Sequence, residues 1–520
     1  MSVSRQTSGP RQRLASETQL ERWSDAPNRC ALVYPSGYHV GMSSLGYQQI
    51  WRSILATQGW TPLRAFNDSD EHTERPYAYE LARAMPDVQA VALSVAYELE
   101  TLGVIEMLER LGLPALRRER QPDQPIVIAG GPLTFSNPAP LLPFVDVLIC
   151  GEGEGLIGEV LTRIEGQPKS ALSEVLSGLP GVVVATDRNP VALPVAKADN
   201  SLLPARSAIV AESTELRKMF LIEPERGCSR QCTYCVMRRS TNGGMRPVPA
   251  QTVLDSIPAG VERVGLVGAA VTDHLEITDL VNALADRELS VGISSLRADR
   301  LKRPLLEALF RGGYRTVTVA LDGASPRLRR VVRRKTEDQH IERVAREAKS
   351  VGFMKMKIYM VLGLPTENDD DLAILAQELI DLSKILPIDV GLSPLVPKRN
   401  TPLYCAPFIG VKESDRRIKL LRRLLKGRAN IRPVSSRWSW VESVLARGSL
   451  ACGEAVLEAH RLGGGFAAYK KAFARIDYHP DGSVGADHAP MGVDGGVAYG
   501  LPGAEEALAQ TTELKVLRRR

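Results

Sequence analysis

The sequence predicts an α/β chain built on two sheets: a doubly wound parallel sheet over about residues 28–185 and an incomplete β/α barrel over 216–405. Three observations predict it. Short β-type apolar runs alternate with helical stretches from Ala31 onward, several of these runs end in small residues, and six more recur after residue 215 with barrel-like spacing. With 520 residues, 44% hydrophobic and 24% charged, the chain can bury sizeable cores. That excludes wholesale disorder, a fibrous class and a small stapled module. A net charge of +6 permits an anionic ligand without demanding nucleic acid.

Residues 1–27 are polar and read as a flexible arm with no signal-type apolar stretch. In the first sheet, 30–35, 88–96, 125–132 and 145–154 read as strands, and 45–56 and 101–111 as helices. This is a Rossmann-like pattern. Ligands of such sheets sit at the carboxyl ends of the strands, where Ser36, Gly37, Ser94, Gly130, Gly131, Gly151 and Glu152 fall. Small residues there would let a bulky ligand approach the backbone closely, as a cofactor crevice requires.

A looser stretch, 186–215, with Pro190, Pro194 and Pro204, reads as a linker. The strand-like runs 219–227, 262–268, 289–297, 316–323, 354–365 and 390–397 follow, separated by helical segments, which is the pattern of a partial (β/α)6 barrel of TIM type. Residues 406–480 read as a mainly helical C-terminal region. Its 414–426 segment is amphipathic, with Ile418, Leu421, Leu424 and Leu425 on one face. Residues 481–520 read as a Gly-rich, basic tail. No stretch approaches a membrane span, so a soluble, cytoplasmic protein is expected.

The seven cysteines are too few for a disulfide framework in a chain of this length, which favours thiols or metal ligands in a reducing compartment. Cys30, Cys150, Cys405 and Cys452 are scattered and read as ordinary buried thiols. Cys228, Cys232 and Cys235 instead share one short loop just after the first barrel run. Three soft ligands on one loop can hold a single metal centre, and no further Cys or His lies between Cys235 and His274 to close a zinc site.

The CxxxCxxC spacing, with an aromatic residue before its last cysteine and a β/α barrel around it, resembles the radical S-adenosylmethionine (SAM) superfamily. The strand ends at 94–96, 129–132 and 150–154, placed before such a barrel, resemble the cobalamin-binding domain of that superfamily's cobalamin-dependent class. The barrel is also similar to that of the methylthiotransferases. The resemblance covers about residues 28–405. It implies that Cys228, Cys232 and Cys235 hold a 4Fe–4S cluster whose open iron binds SAM. One-electron reduction would then cleave SAM to a 5′-deoxyadenosyl radical. It further implies SAM contacts from Tyr234, Gly268, Ser294, Arg297, Asp322 and Gly363, and cobalamin contacts from Ser36, Gly37, Ser94, Gly130, Gly131, Gly151 and Glu152. Two departures stand out: the turn Gly268-Ala269-Ala270 lacks the acidic residue many members carry, and neither His39 nor His72 fits the motif that ligates cobalt.

The expected activity is methyl transfer to an unactivated carbon, with an electron donor of flavodoxin or ferredoxin type and a small-molecule or peptide substrate. Two alternatives stand beside it. One is cobalamin-independent radical modification of RNA, protein or a metabolite; the other is a non-catalytic metal or Fe–S protein. Residues 297–335 carry twelve basic and three acidic side chains, and 412–437 ten and two, which leaves RNA as a further possible partner. No aromatic interleaving accompanies them, and such runs are commonly solvated helix faces.

Overall fold

The computed structural model describes residues 9–68, 74–188, 195–237, 244–294, 296–404 and 406–476. His72, Pro190, Pro194, Cys405 and the 481–520 tail lie outside them. Two compact units emerge: 1–222 with 257–261 and 449–468, and 223–256 with 262–448 and 469–520.

The first unit is built on a six-stranded sheet in the order Trp60–Phe66, Asn28–Tyr34, Ala90–Ser94, Ile126–Gly130, Val147–Ile149, Val182–Val184. All neighbours are parallel except the last pair. The central strands are buried along nearly their whole length, as near-continuous apolar runs such as CALVY require. Helix Leu45–Leu55 starts at Ser44, whose hydroxyl accepts the Tyr47 N–H, and buries Tyr47 and Trp51 against this sheet's core. Helix Thr101–Arg110 approaches the loop after the first strand closely: a Cβ on Gly103 would lie 1.9 Å from the Pro35 carbonyl oxygen.

Strand Trp60–Phe66 escaped sequence reading because WTPLRAF holds a proline and an arginine. Both have structural reasons. Pro62 is tolerated because the strand is at the sheet edge. Arg64 is 1% exposed yet fully paired, with Glu17 on one side and Glu80 on the other.

The flexible arm expected over residues 1–27 needs correction. Pro10–Ala15 is a helix, and Glu17–Gln19 pairs antiparallel with Ile209–Ala211. Buried ion pairs tie the segment down: Arg13 to Asp68 at 2.7 Å, and Glu17 to Arg64 at 2.8 Å. The expected linker 186–215 is likewise structured at its far end, where Ser207, Ala208, Ile209 and Ala211 are buried. Gln48, from the helix above, accepts the N–H groups of Ala208 and Ile209. Helix Leu450–Arg461 also belongs to this unit and lies against 139–144, where a Cβ on Gly453 would be 2.0 Å from the Pro140 carbonyl oxygen.

In the second unit, Arg263–Leu266 pairs parallel with Ser290–Ile293. Thr316–Ala320, Lys355–Leu362, Ile388–Pro394 and Asn430–Pro433 form a second all-parallel sheet. A parallel bridge between Leu296 and Val319 links the two. Helices Ile277–Asp286, Arg303–Arg311, Asp338–Val351 and Asp369–Ser383 alternate with the strands, giving the partial barrel. The last of these begins with a reciprocal cap between Asn368 and Asp371. Strand Asn430–Pro433 was not among the expected runs: NIRP is too short and polar to signal one. The first expected run splits into Phe220–Ile222 and Glu225–Gly227, and the latter pairs antiparallel with Met245–Pro247.

Candidate functional site

The cysteine loop leaves strand Glu225–Gly227 directly. Gly227 has φ +101°, a left-handed conformation that favours glycine and turns the chain into the loop. Two backbone bonds hold the loop in place: the buried Thr233 donates to Val332 O at 3.1 Å, and Leu403 donates to Thr233 O at 3.2 Å. Within it, Cys235 N–H donates to Cys232 O, and Arg230 N–H to the Cys228 sulfur at 3.4 Å.

Cys228, Cys232 and Cys235 all line one small cavity of about 80 Å³, together with Tyr234, Arg297 and the 269–270 turn. Among the described residues, no three His, Cys, Asp or Glu side chains close around one ion position. Three thiols lining one cavity are the donor type that soft iron–sulfur centres take. The donor set thus fits the cluster the sequence implies. Burial raises the Cys228 thiol above its usual range and pushes Cys235 up to about 11. A metal centre that takes them as thiolates would reverse this.

Charged groups frame the cavity. Arg230 forks onto Asp273 at 2.6 and 2.8 Å, and Arg297 reaches Asp299 at 3.0 Å. Burial alone would raise Asp273, but Arg230 and Arg297 outweigh it and hold the carboxylate below its ordinary range. On the opposite side, Tyr234 OH donates to Asp322 at 2.7 Å, and Arg334 lies 3.3 Å from the same carboxylate. Burial, then Asp322, raises the Tyr234 phenol and keeps it protonated.

The remaining expected SAM contacts divide. Ser294 Oγ reaches Gly268 O at 3.4 Å, so the ends of these two strands meet. Gly363, with φ +83°, sits in a network of its own: its N–H donates to Glu367, which pairs with Arg417 at 2.7 Å, and a Cβ there would strike Ile409. Sequence reading missed Glu225. This carboxylate is fully buried and accepts the Ala270 N–H at 2.7 Å, while a Cβ on Gly268 would come within 2.3 Å of it. It also missed Arg230, Asp273 and Arg334. Arg230 lies inside the cysteine motif itself, the one signal that could have found it.

In the first unit, all four small-residue turns lie at the carboxyl ends of parallel strands, as expected. At two of them the chain's own backbone approaches closely. A Cβ on Gly131 (φ +102°) would lie 2.6 Å from Val95 O, and one on Gly151 (φ +108°) 2.5 Å from Ala196 O. Ser36 donates to Glu100, Gly37 faces Asp68, Ser94 pairs in register with Gly130, and Glu152 accepts the Ala198 N–H at 2.8 Å. These residues close the fold around the strand ends.

Comparison with known proteins agrees with this architecture. A family described as "Radical SAM proteins, N-terminal" matches residues 47–184, and one described as "Radical SAM superfamily" matches 222–379. An uncharacterized protein of Methanocaldococcus jannaschii is 27% identical over 416 residues, covering 76% of this chain and 83% of that protein. The cobalamin-dependent radical SAM methyltransferase TokK of Streptomyces tokunonensis is 28% identical over 220 residues, 38% of this chain but 30% of its own length. Among solved structures, the radical SAM methyltransferase TsrM of Kitasatospora setae, with cobalamin and a 4Fe–4S cluster bound, has a TM-score of 0.53 at 15% identity. It covers 72% of this chain and 76% of its own. At that identity the likeness is one of fold. The motif, the barrel and both family matches converge: this chain belongs to the radical SAM superfamily, and its fold is like that of TsrM.

Proposed function

We propose that the protein is a cobalamin-dependent radical SAM methyltransferase acting on an unactivated carbon, with Cys228, Cys232 and Cys235 holding a 4Fe–4S cluster. The observation that carries the radical assignment is the convergence of these three thiols, and of no fourth Cys or His among the described residues, on one cavity of about 80 Å³. When bound, the cluster and SAM supply the one-electron cleavage that side chains cannot perform. The chain's own residues position and shield. Asp322 and Arg334 fix the Tyr234 ring at the cavity wall, Arg230 and Arg297 hold Asp273 ionised beside it, and Glu225 buttresses the 268–270 turn from behind. Tyr234, Gly268, Ser294, Arg297 and Asp322 are the residues we assign to SAM; Gly363 stands apart from them.

Cobalamin rests on the fold, the strand-end turns and the relatives named above. A cobalamin-independent radical reaction is the second reading, favoured by the close backbone approach at Gly131 and Gly151, which gives both glycines a structural reason without a cofactor. Cytoplasmic residence and an external one-electron donor belong to the same proposal; no described helix is long and apolar enough to cross a membrane.

Anaerobic reconstitution with iron, sulfide and cobalamin, followed by metal analysis and a SAM-cleavage assay after reduction, tests both readings. Four iron and one cobalt per chain with SAM turnover are expected. Iron without cobalt would transfer the assignment to the second reading. Cys235→Ala should lose the cluster and SAM cleavage together, and retention of both would sink the cluster assignment.

A further inference from the structure

A second cavity, of about 1010 Å³, adjoins the first within the same unit. One wall is the tip of the cysteine loop, Ser229–Gln231, and the other is the segment 326–339 that follows strand Thr316–Ala320. Six basic side chains line it against two acidic ones. Their charges are not equally committed. Arg230 is held by Asp273, Arg334 by Asp322, and the buried Arg329 by Asp338. The side chains of Arg330 and Lys335 are exposed and, among the described residues, have neither an ion-pair nor a hydrogen-bond partner.

Deeper in the same wall, two polar groups lack partners. Thr336 is 1% exposed and its hydroxyl makes no hydrogen bond; Arg329, also 1% exposed, leaves its Nε–H without an acceptor. Buried donors of this kind cost stability unless something accepts from them. Both atoms are closed off from the cavity itself, so its free charge is that of Arg330 and Lys335. A guanidinium and an ammonium on one basic wall match a tetrahedral polyanion, whose oxygens accept from both together.

We propose that this cavity binds a phosphate-bearing small molecule and presents it beside the cysteine loop. Its standing as a substrate site rests on the radical SAM reading, but the binding itself does not. The volume is at the upper end of small-ligand sites. None of the described lining residues is aromatic, so the bases of a nucleic acid would find no stacking platform. SAM itself carries a sulfonium and is disfavoured by the excess positive charge.

Calorimetric titration of the full chain, without cluster and at physiological salt, with inorganic pyrophosphate as probe tests this. One-to-one binding is expected, weakened about tenfold or more in Arg330→Ala/Lys335→Ala, which removes both free charged donors. Both residues are exposed, so the melting temperature should not move. Thr336→Val, a change of matched shape at a hydroxyl closed off from the cavity, is the control and should leave both probe binding and iron loading unchanged. The proposal is overturned if wild type shows no binding, if the double variant binds equally tightly, or if single-stranded RNA displaces pyrophosphate. A chain that takes pyrophosphate but builds no cluster would refute the radical reading and leave this site standing; a clustered chain that ignores pyrophosphate would do the reverse.

Discussion

Glu17→Ala tests whether the segment before the first sheet strand is a structural part of the first unit. Glu17 Oε1 and Oε2 accept from the two terminal nitrogens of Arg64, each at 2.8 Å, and Oε1 also accepts from Tyr38 OH at 2.7 Å. Both partners of the ion pair are 1% exposed. Truncation would strand two guanidinium donors and a phenol in the core, and the remaining partner, Glu80, cannot replace them because its oxygens already serve Arg64 Nε, Arg64 N–H and Trp51 Nε1. Breaking a buried pair in this way costs roughly 3–5 kcal/mol. In a unit of this size that corresponds to a fall in melting temperature of roughly 6–20 °C.

Glu21→Ala, four residues on, is the control. Its partner Arg52 is 17% exposed and keeps Gln49 and the carbonyls of Arg206 and Ser207, so the loss should stay below about 1 kcal/mol. Urea unfolding followed by tryptophan fluorescence suits the comparison, because Trp51 donates into the same network. If the midpoint shift of Glu17→Ala is no larger than that of Glu21→Ala, the buried-network reasoning is wrong.

Two further predictions concern the strand ends. Gly131→Ala places a Cβ 2.6 Å from Val95 O at φ +102°, so it should destabilise the first unit by roughly 1–3 kcal/mol or more even with no cobalamin present; unchanged melting would show that the glycine is not needed for closure. Burial pushes Glu225 up to about 7 from an ordinary 4.5, so its contribution to stability is fully present below about pH 4.5 and is lost as pH rises through 7. Glu225→Gln should remove that slope and gain steadily on wild type across this window in urea melts, and parallel profiles would contradict the assignment.

Features that depend on local pattern were readable along the chain. The apolar runs 30–35 and 88–96 became strands because continuous apolar residues satisfy a sheet buried on both faces, and 316–323 because its alternating valines fill one buried face. The cysteine spacing was readable for the same reason: three ligands on one loop are near each other whatever surrounds them. Strands Trp60–Phe66 and Asn430–Pro433 were not, since their arginines and prolines are made tolerable only by partners and edge positions distant in sequence.

The candidate site divides along the same line. Sequence alone determined that three thiols share a loop at a strand end, that an aromatic residue stands among them, and that the strand ends of the first sheet are small. Only the tertiary structure decided that Glu225 lies behind the acid-free turn, that Asp322 and Arg334 hold Tyr234, that Gly363 stands apart, and that Gly131 and Gly151 give way to the chain's own backbone. It also turned the basic run 297–335 from a count of charges into paired arginines and two free cations at a cavity mouth. The reason is physical: covalent spacing fixes what lies within a few residues, whereas a buried charge is stable only where a partner far along the chain meets it, and folding alone decides where that is.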